Sequence, residues 1–384
     1  MSNLLDSASL LITPTAYNAG EILSIEPSDG TGDLDFTRGS LATRVNEQGL
    51  IELIFLNNIP RIDYKGGVGH WLIESQSTNL LPYSQDFSNS AWVKSNATVT
   101  SNSVTSPDGG LNASTIVFTS GGYILESVLT TKIIGSIETA SVFSTKDVSG
   151  TFLKFTSATA AGTDVETKEN YPNGWYRYSV TRTFTEAQTS NTQIIITRAN
   201  VGESFEIWGA QLEQWYLSSY IPTFSTMMTR IKDQINTLIN TNLINPTEGA
   251  IYLELAANSN PNIKRVIALS DGTNTGRIVF QFTDAPNQLR VTVVNNGSIK
   301  FDYYHLLDST LIFHKFAISY QSQKFKFFVD GTVVATDSTG NPSPGLNQLN
   351  FFNIGGGNQF YGKIKAIGLY KDILTNEELS CLTT

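Results

Sequence analysis

Cysteine, histidine and charge are all scarce in this sequence. A single cysteine, Cys381, in 384 residues excludes an intrachain disulfide and any cysteine-based metal cluster. His70, His305 and His314 are the only histidines, and none has a His or Cys partner at ligand spacing, which removes the usual zinc patterns. No Gly-x-Ser-x-Gly elbow is present to offer an activated serine. Basic residues number 25 against 34 acidic ones, for a net charge of -9, and Lys and Arg never run longer than two. Nucleic acid is therefore not an expected partner, since clustered cations are needed to displace counterions from phosphates. Apolar runs such as Ile194-Ile195-Ile196 are far short of the roughly 20 residues of a membrane span, so membrane insertion is not expected either. The start, Met1-Ser2-Asn3-Leu4-Leu5-Asp6, has neither the basic residues nor the apolar stretch of a secretory signal. The expectation is a protein made in the cytosol that stays there or leaves by lysis.

What is present is β grammar on a neutral polar surface. Hydrophobic residues make up 40% and charged residues only 15% of the chain, against about a quarter charged in ordinary proteins. The length predicts about two or three domains. Residues 1–80 hold short strand-like runs broken by Gly and Asp: 33–37, 42–46 and 50–56, with a turn at Glu47-Gln48-Gly49. They suggest hairpins without a closed core of their own, which pack on something else. Residues 81–224 alternate short β runs with Ser/Thr/Asn/Gly turns, as sandwiches and barrels do. Residues 225–247 form a connector in which Met228, Ile231, Ile235, Leu238 and Ile239 fall at helical steps. The intervening Asn and Thr residues are poor helix formers, which leaves a helix and a connector with a helical turn or two equally open. Residues 248–384 alternate most clearly. There Asn296-Gly297 and Asp330-Gly331 sit between strand-like runs and tolerate the positive φ of a type I′ hairpin, so 325–329 is predicted to pair with 332–336. The fold class expected is all-β: two jelly-roll β-sandwich domains preceded by a small β-rich leader.

Four landmarks of the last segment occur in an order that resembles the laminin-G-like branch of the concanavalin A-like lectin sandwiches. They are Glu248-Gly249-Ala250-Ile251-Tyr252-Leu253-Glu254, then Phe313-His314-Lys315-Phe316, then Phe327-Phe328-Val329-Asp330-Gly331-Thr332, and finally 361–370 with 374–379 as closing strand and terminal helix. The segment 81–224 resembles carbohydrate-binding-module jelly rolls through Asn89-Ser90-Ala91-Trp92, Asn173-Gly174-Trp175-Tyr176-Arg177, Trp208-Gly209-Ala210-Gln211-Leu212-Glu213 and Ser219-Tyr220-Ile221-Pro222. The leader, with Asp35-Phe36-Thr37-Arg38-Gly39-Ser40 and Pro60-Arg61-Ile62-Asp63-Tyr64, is similar to one that precedes such modules in tailed-bacteriophage virion proteins. The resemblance implies a phage tail fibre, head fibre or decoration protein. Its implied partners are other virion proteins, further copies of itself (a homotrimer before a dimer) and a host surface glycan; its implied location is the virion, assembled in the host cytoplasm. A bacterial surface adhesin or lectin is the alternative, and a glycan depolymerase comes third.

Glycosidic hydrolysis normally needs two flanking carboxylates. The Glu-x-Asp-x-x-Glu arrangement of this fold's hydrolases is absent, and no catalytic residue is assigned. Glu203, Glu206 and Glu213 are taken for strand surfaces or edges, His314 for a strand start, and Gly355-Gly356-Gly357 for a loop rather than a phosphate cradle. Sugar binding asks instead for aromatic faces beside amides and carboxylates. Trp92, Trp175 and Trp208 are expected in the core. The candidates for a glycan platform or interface are Trp215 and Tyr216, the loop residues Tyr303, Tyr304 and His305, and Asn358 and Tyr361 from a second loop. No cofactor is expected beyond a structural calcium ion, for which Asp271 and Asn274 are the most ligand-like pair, although the same residues make an ordinary hairpin turn.

Overall fold

The computed structural model describes residues 4–145, 153–157, 161–197, 204–259 and 263–384. The chain is all-β, two sandwiches with a β-rich leader, and a single short α-helix among the described residues, Asn376–Thr383. That helix starts on a capping box between Thr375 and Glu378, which satisfies two of its orphan N–H groups.

In the middle segment the 20-residue strand Ala113–Lys132 serves both faces. Its first part pairs with Ser204–Gln214 and its second with Gln188–Thr197. The change of partner falls at Gly121-Gly122, where a Cβ on Gly122 would sit 2.4 Å from the carbonyl oxygen of Asn96. Only glycine lets the two backbones approach so closely. The folded-over sheet encloses Trp92, Phe118, Ile124, Val142, Ile194, Ile207 and Leu212. Trp175 and Trp208 are also buried, in a smaller cluster that the leader's Ile51 enters. Glu213 departs from expectation: it is buried rather than at a surface, because Ser77 Oγ at 2.6 Å and the Ser218 N–H at 3.1 Å donate to its carboxylate. Glu203 lies outside the described residues.

The C-terminal sandwich faces a sheet built on Gly249–Ala257, His314–Gln321, Lys324–Val329 and Gly362–Tyr370 against one built on Arg265–Ser270, Arg277–Phe282 and Gln288–Asn295. Inward residues such as Leu253, Phe280, Val291, Phe316, Phe327 and Ile367 fill the space between. The predicted hairpin forms with Val329 opposite Thr332, and Asp330 (φ 46) and Gly331 (φ 81) take the left-handed turn.

The leader is no separate body. Leu10–Ile12 and Val68–Ile73 both pair with Gly362–Tyr370, and Ile62–Lys65 pairs with Val68–Ile73, so leader strands widen the lectin-like sheet. The connector is not helical. It makes three short strands, Met228–Arg230, Gln234–Ile235 and Leu238–Ile239, each on a different partner. Of the residues at helical steps, Ile235 is buried and Leu238 packs on the same core, while Ile231 and Ile239 are exposed, so they do not make the one common buried face that a helical stripe would have needed.

Candidate functional site

A groove of about 620 Å³ opens where the three parts meet. The leader contributes Val45, Asp63, Tyr64 and Lys65, the middle sandwich Glu169, Tyr171, Arg177 and Tyr216, and the C-terminal sandwich Asn258, Ser259 and Lys363. Each comes from a strand or the turn beside it. Asp63 is on Ile62–Lys65, Glu169 on Gly162–Asn170 and Lys363 on Gly362–Tyr370. The lining mixes tyrosines, amides, hydroxyls and charges of both signs, the composition that suits a polar ligand with apolar C–H faces.

The charges are uneven in their partners. Lys65 Nζ meets Glu169 Oε1 at 2.8 Å. Burial pushes the Glu169 carboxyl up, but Lys65, with smaller contributions from Lys363 and Arg177, outweighs it and the group lies below its ordinary range. Asp63 is pushed up to about 6 by burial, against the lowering effect of its hydrogen bond from the Val45 N–H (2.7 Å) and of Arg61. His70 Nε2 lies 3.4 Å from the Asp63 carboxylate, and burial followed by the nearby Lys363 and Lys365 drives that imidazole down to about 3.

The raised Asp63 carboxyl makes a stability prediction with a definite sign. A carboxyl whose folded pKa exceeds its unfolded value favours the fold below about 4, and that advantage disappears as pH rises through about 6. Asp63→Asn keeps an acceptor for Val45 and removes the titration. It is expected to be more stable than the parent by about 3 kcal/mol at pH 8 and nearly equal at pH 4, read from urea unfolding at both values. A constant difference across that range would refute the assignment.

Of the residues expected from the sequence to form a glycan platform or interface, Tyr216 alone lines this groove. Its hydroxyl is raised by burial beside Arg265, itself pushed down to about 10 by burial, so Tyr216 sits where the two sandwiches touch. Trp215 is 57% exposed, holds φ at 101° and stacks on Tyr216 with centroids 6.4 Å apart. Tyr303, Tyr304 and His305 are not in a loop but on Ser298–Leu306, at the margin of the second sheet. Tyr303 packs on the core and Tyr304 stacks under the Arg290 guanidinium at 5.0 Å. Asn358 (φ 52) accepts the Val266 N–H on its carbonyl, and the Tyr361 hydroxyl donates to Gln359 Oε1 at 3.0 Å.

Asp271 and Asn274 form the turn. Asp271 Oδ1 accepts from the N–H and hydroxyl of Thr273, while Asn274 Oδ1 accepts from Arg277 Nη1 at 2.9 Å, so a guanidinium already occupies the amide oxygen. Among the described residues there is no group of three or more His, Cys, Asp or Glu placed to hold a metal ion. His314 begins its strand with both ring nitrogens engaged, Nδ1 with Asp330 at 2.6 Å and Nε2 with the Ser309 carbonyl at 3.0 Å.

Together the sheets define a lectin-like β-sandwich protein. Residues 233–380 match the Laminin_G_3 family, the concanavalin A-like lectin/glucanases superfamily. Among solved structures, the CBM40 domain of the Ruminococcus gnavus IT-sialidase is similar at 18% identity, over 36% of this chain and 84% of that one, with a TM-score of 0.31. The heptameric SAP-like pentraxin of Limulus polyphemus shares 11% identity over 36% of this chain and 70% of its own, at a TM-score of 0.29. Mouse laminin alpha1 domains LG4-5 share 9% identity over 82% of this chain and 93% of theirs, at 0.26. No curated protein matches the chain.

Proposed function

We propose that this chain is a non-enzymatic, glycan-binding structural protein of a phage virion, a tail fibre or a head fibre or decoration protein. The observation that carries the glycan reading is the groove, where Tyr64 and Tyr216 stand beside Asn258, Ser259 and several charged groups on rigid strands from all three parts. Such sites bind saccharides by stacking and by hydrogen bonds to fixed polar groups. The virion setting rests on the leader's resemblance to phage virion proteins, and further copies of the chain and neighbouring virion proteins are its proposed partners. Two measurements test the proposal. Mass spectrometry of purified particles is expected to find the chain, and its absence there would end the virion reading. A glycan array is expected to give binding that Tyr216→Ala weakens about tenfold, as loss of one stacking aromatic does; undiminished binding would move the site elsewhere.

A depolymerase is the second reading, favoured by one observation. Asp63 and Glu169 line the same groove with their pKa values pushed apart, up for Asp63 and down for Glu169, the pattern of an acid and base pair. Against it, Glu169 is tied to Lys65 and Asp63 Oδ1 to a backbone amide. Incubation with host polysaccharide is expected to release no new reducing ends. Release that disappears in Asp63→Asn would establish the enzyme instead.

A further inference from the structure

Four cations line the groove: Arg44, Lys65, Arg177 and Lys363. Arg44 Nε is held by Glu52 at 2.9 Å and Lys65 by Glu169 at 2.8 Å. Arg177 donates to the Ser218 carbonyl at 2.8 Å and to Ser141 Oγ at 3.1 Å. Lys363 differs from them. It projects from the lectin-like sheet at the position opposite Leu72, is partly buried, and has no ion pair or hydrogen bond to any described residue. The acids around it are engaged elsewhere. Glu169 is with Lys65, Glu74 with Arg61, and Asp63 takes the Val45 N–H.

Resting on the reading of the groove as a glycan site, we infer that the ligand is an acidic saccharide, whose carboxylate is received by the Lys363 ammonium while its ring lies against Tyr64 or Tyr216. A partly desolvated ammonium without a direct ion-pair partner is a costly arrangement that an incoming anion relieves. Burial and the like charge of Lys65 lower the pKa of Lys363 and outweigh the opposing fields of Glu169, Asp63 and Glu74, none of which pairs with it directly. A carboxylate on a pyranose supplies the missing charge, and the hydroxyls and amides around it supply partners for the rest of the ring.

The test is an array of carboxylate-bearing glycans, each printed beside its neutral methyl ester, probed with the full chain, Lys363→Met and Lys363→Arg. The parent is expected to bind acidic members at least about tenfold more strongly than their esters, as a charge-assisted hydrogen bond implies. Lys363→Met is expected to abolish the preference and Lys363→Arg to keep most of it. Equal melting temperatures for parent and variants establish that folding is not the cause. Equal binding of acids and esters, or a preference that survives Lys363→Met, overturns the inference while leaving a glycan site in place. Binding to no glycan of either kind overturns both.

Discussion

Asp233→Ala is expected to lower the stability of the whole chain by about 3–5 kcal/mol, the usual result of removing one partner from a buried ion pair. Asp233 has no exposed side-chain surface, and it meets two guanidinium groups that are equally buried, Arg38 at 2.9 Å and Arg61 at 2.5 Å. Its Oδ2 also accepts the Glu74 N–H at 2.8 Å, and its own N–H donates to the Glu74 carbonyl. Truncation leaves two positive charges in the interior facing a third, Arg230, whose side-chain nitrogens have no hydrogen-bond partner among the described residues and whose Nε is 3.5 Å from Glu74. Glu74 then stands alone against three arginines. The measurement is urea unfolding at pH 7, with limited proteolysis to see whether the leader is released first. A loss below about 1 kcal/mol would mean that water reaches the cluster when Asp233 is gone. Replacing all five charged residues by packed apolar ones is a different experiment, often neutral or stabilising. The contribution of the cluster is therefore to fix how leader and connector join, more than to add stability.

That cluster also marks the limit of what the sequence discloses. The hairpins at Asn296-Gly297 and Asp330-Gly331 are legible because their turn residues act locally, on their own φ angles. The three middle tryptophans are legible as core because each lies within a landmark of the carbohydrate-binding-module resemblance that is usually structural. By contrast, Leu10–Ile12 finds its partner at Ile367–Leu369, and no local pattern specifies a pairing across almost the whole chain. Alternation in a strand separates its two faces but does not say which polar residue turns inward, so Glu213 reads as a strand surface or edge, and nothing marks Arg38, Arg61 or Glu74 as buried until their partners are known. The groove is hidden for the same reason. Asp63, Glu169 and Lys363 are far apart in sequence, and only the merging of leader and lectin-like sheets brings them to one opening. The helical spacing in the connector misled because a period of three or four needs a continuous apolar face to act on, and here Ile231 and Ile239 are exposed while the three short strands are each claimed by a different partner strand.

Glu74→Gln should separate charge from shape in the cluster, through a cost that depends on pH. Burial alone would raise the Glu74 carboxyl, but Arg230 and Arg61, with hydrogen bonds from Ser219, outweigh it and hold the pKa at about 2. A carboxyl lowered in the fold contributes stability that is fully present above its ordinary value near 4.5 and is lost as pH falls through about 2. The interval corresponds to about 3 kcal/mol, and it applies to a side chain only 6% exposed. Gln preserves the shape and can still exchange hydrogen bonds with the Ser219 N–H and hydroxyl, which lie 2.8 and 2.7 Å from the carboxylate oxygens. The variant is therefore expected to be about 3 kcal/mol less stable than the parent at pH 7, with the gap closing toward zero as pH approaches 2. His70, held down to about 3, also loses stability on acidification, while Asp63 and Glu126, raised to about 6 and about 7, change in the opposite sense. The His70 and Glu126 contributions are common to both proteins and cancel in the difference, whereas Asp63 is raised in part by the Glu74 charge, so the gap between the two unfolding midpoints, followed by circular dichroism from pH 7 to pH 2.5, reports Glu74 together with its coupling to Asp63. A gap of constant size would assign the loss to packing and remove the charge from the explanation.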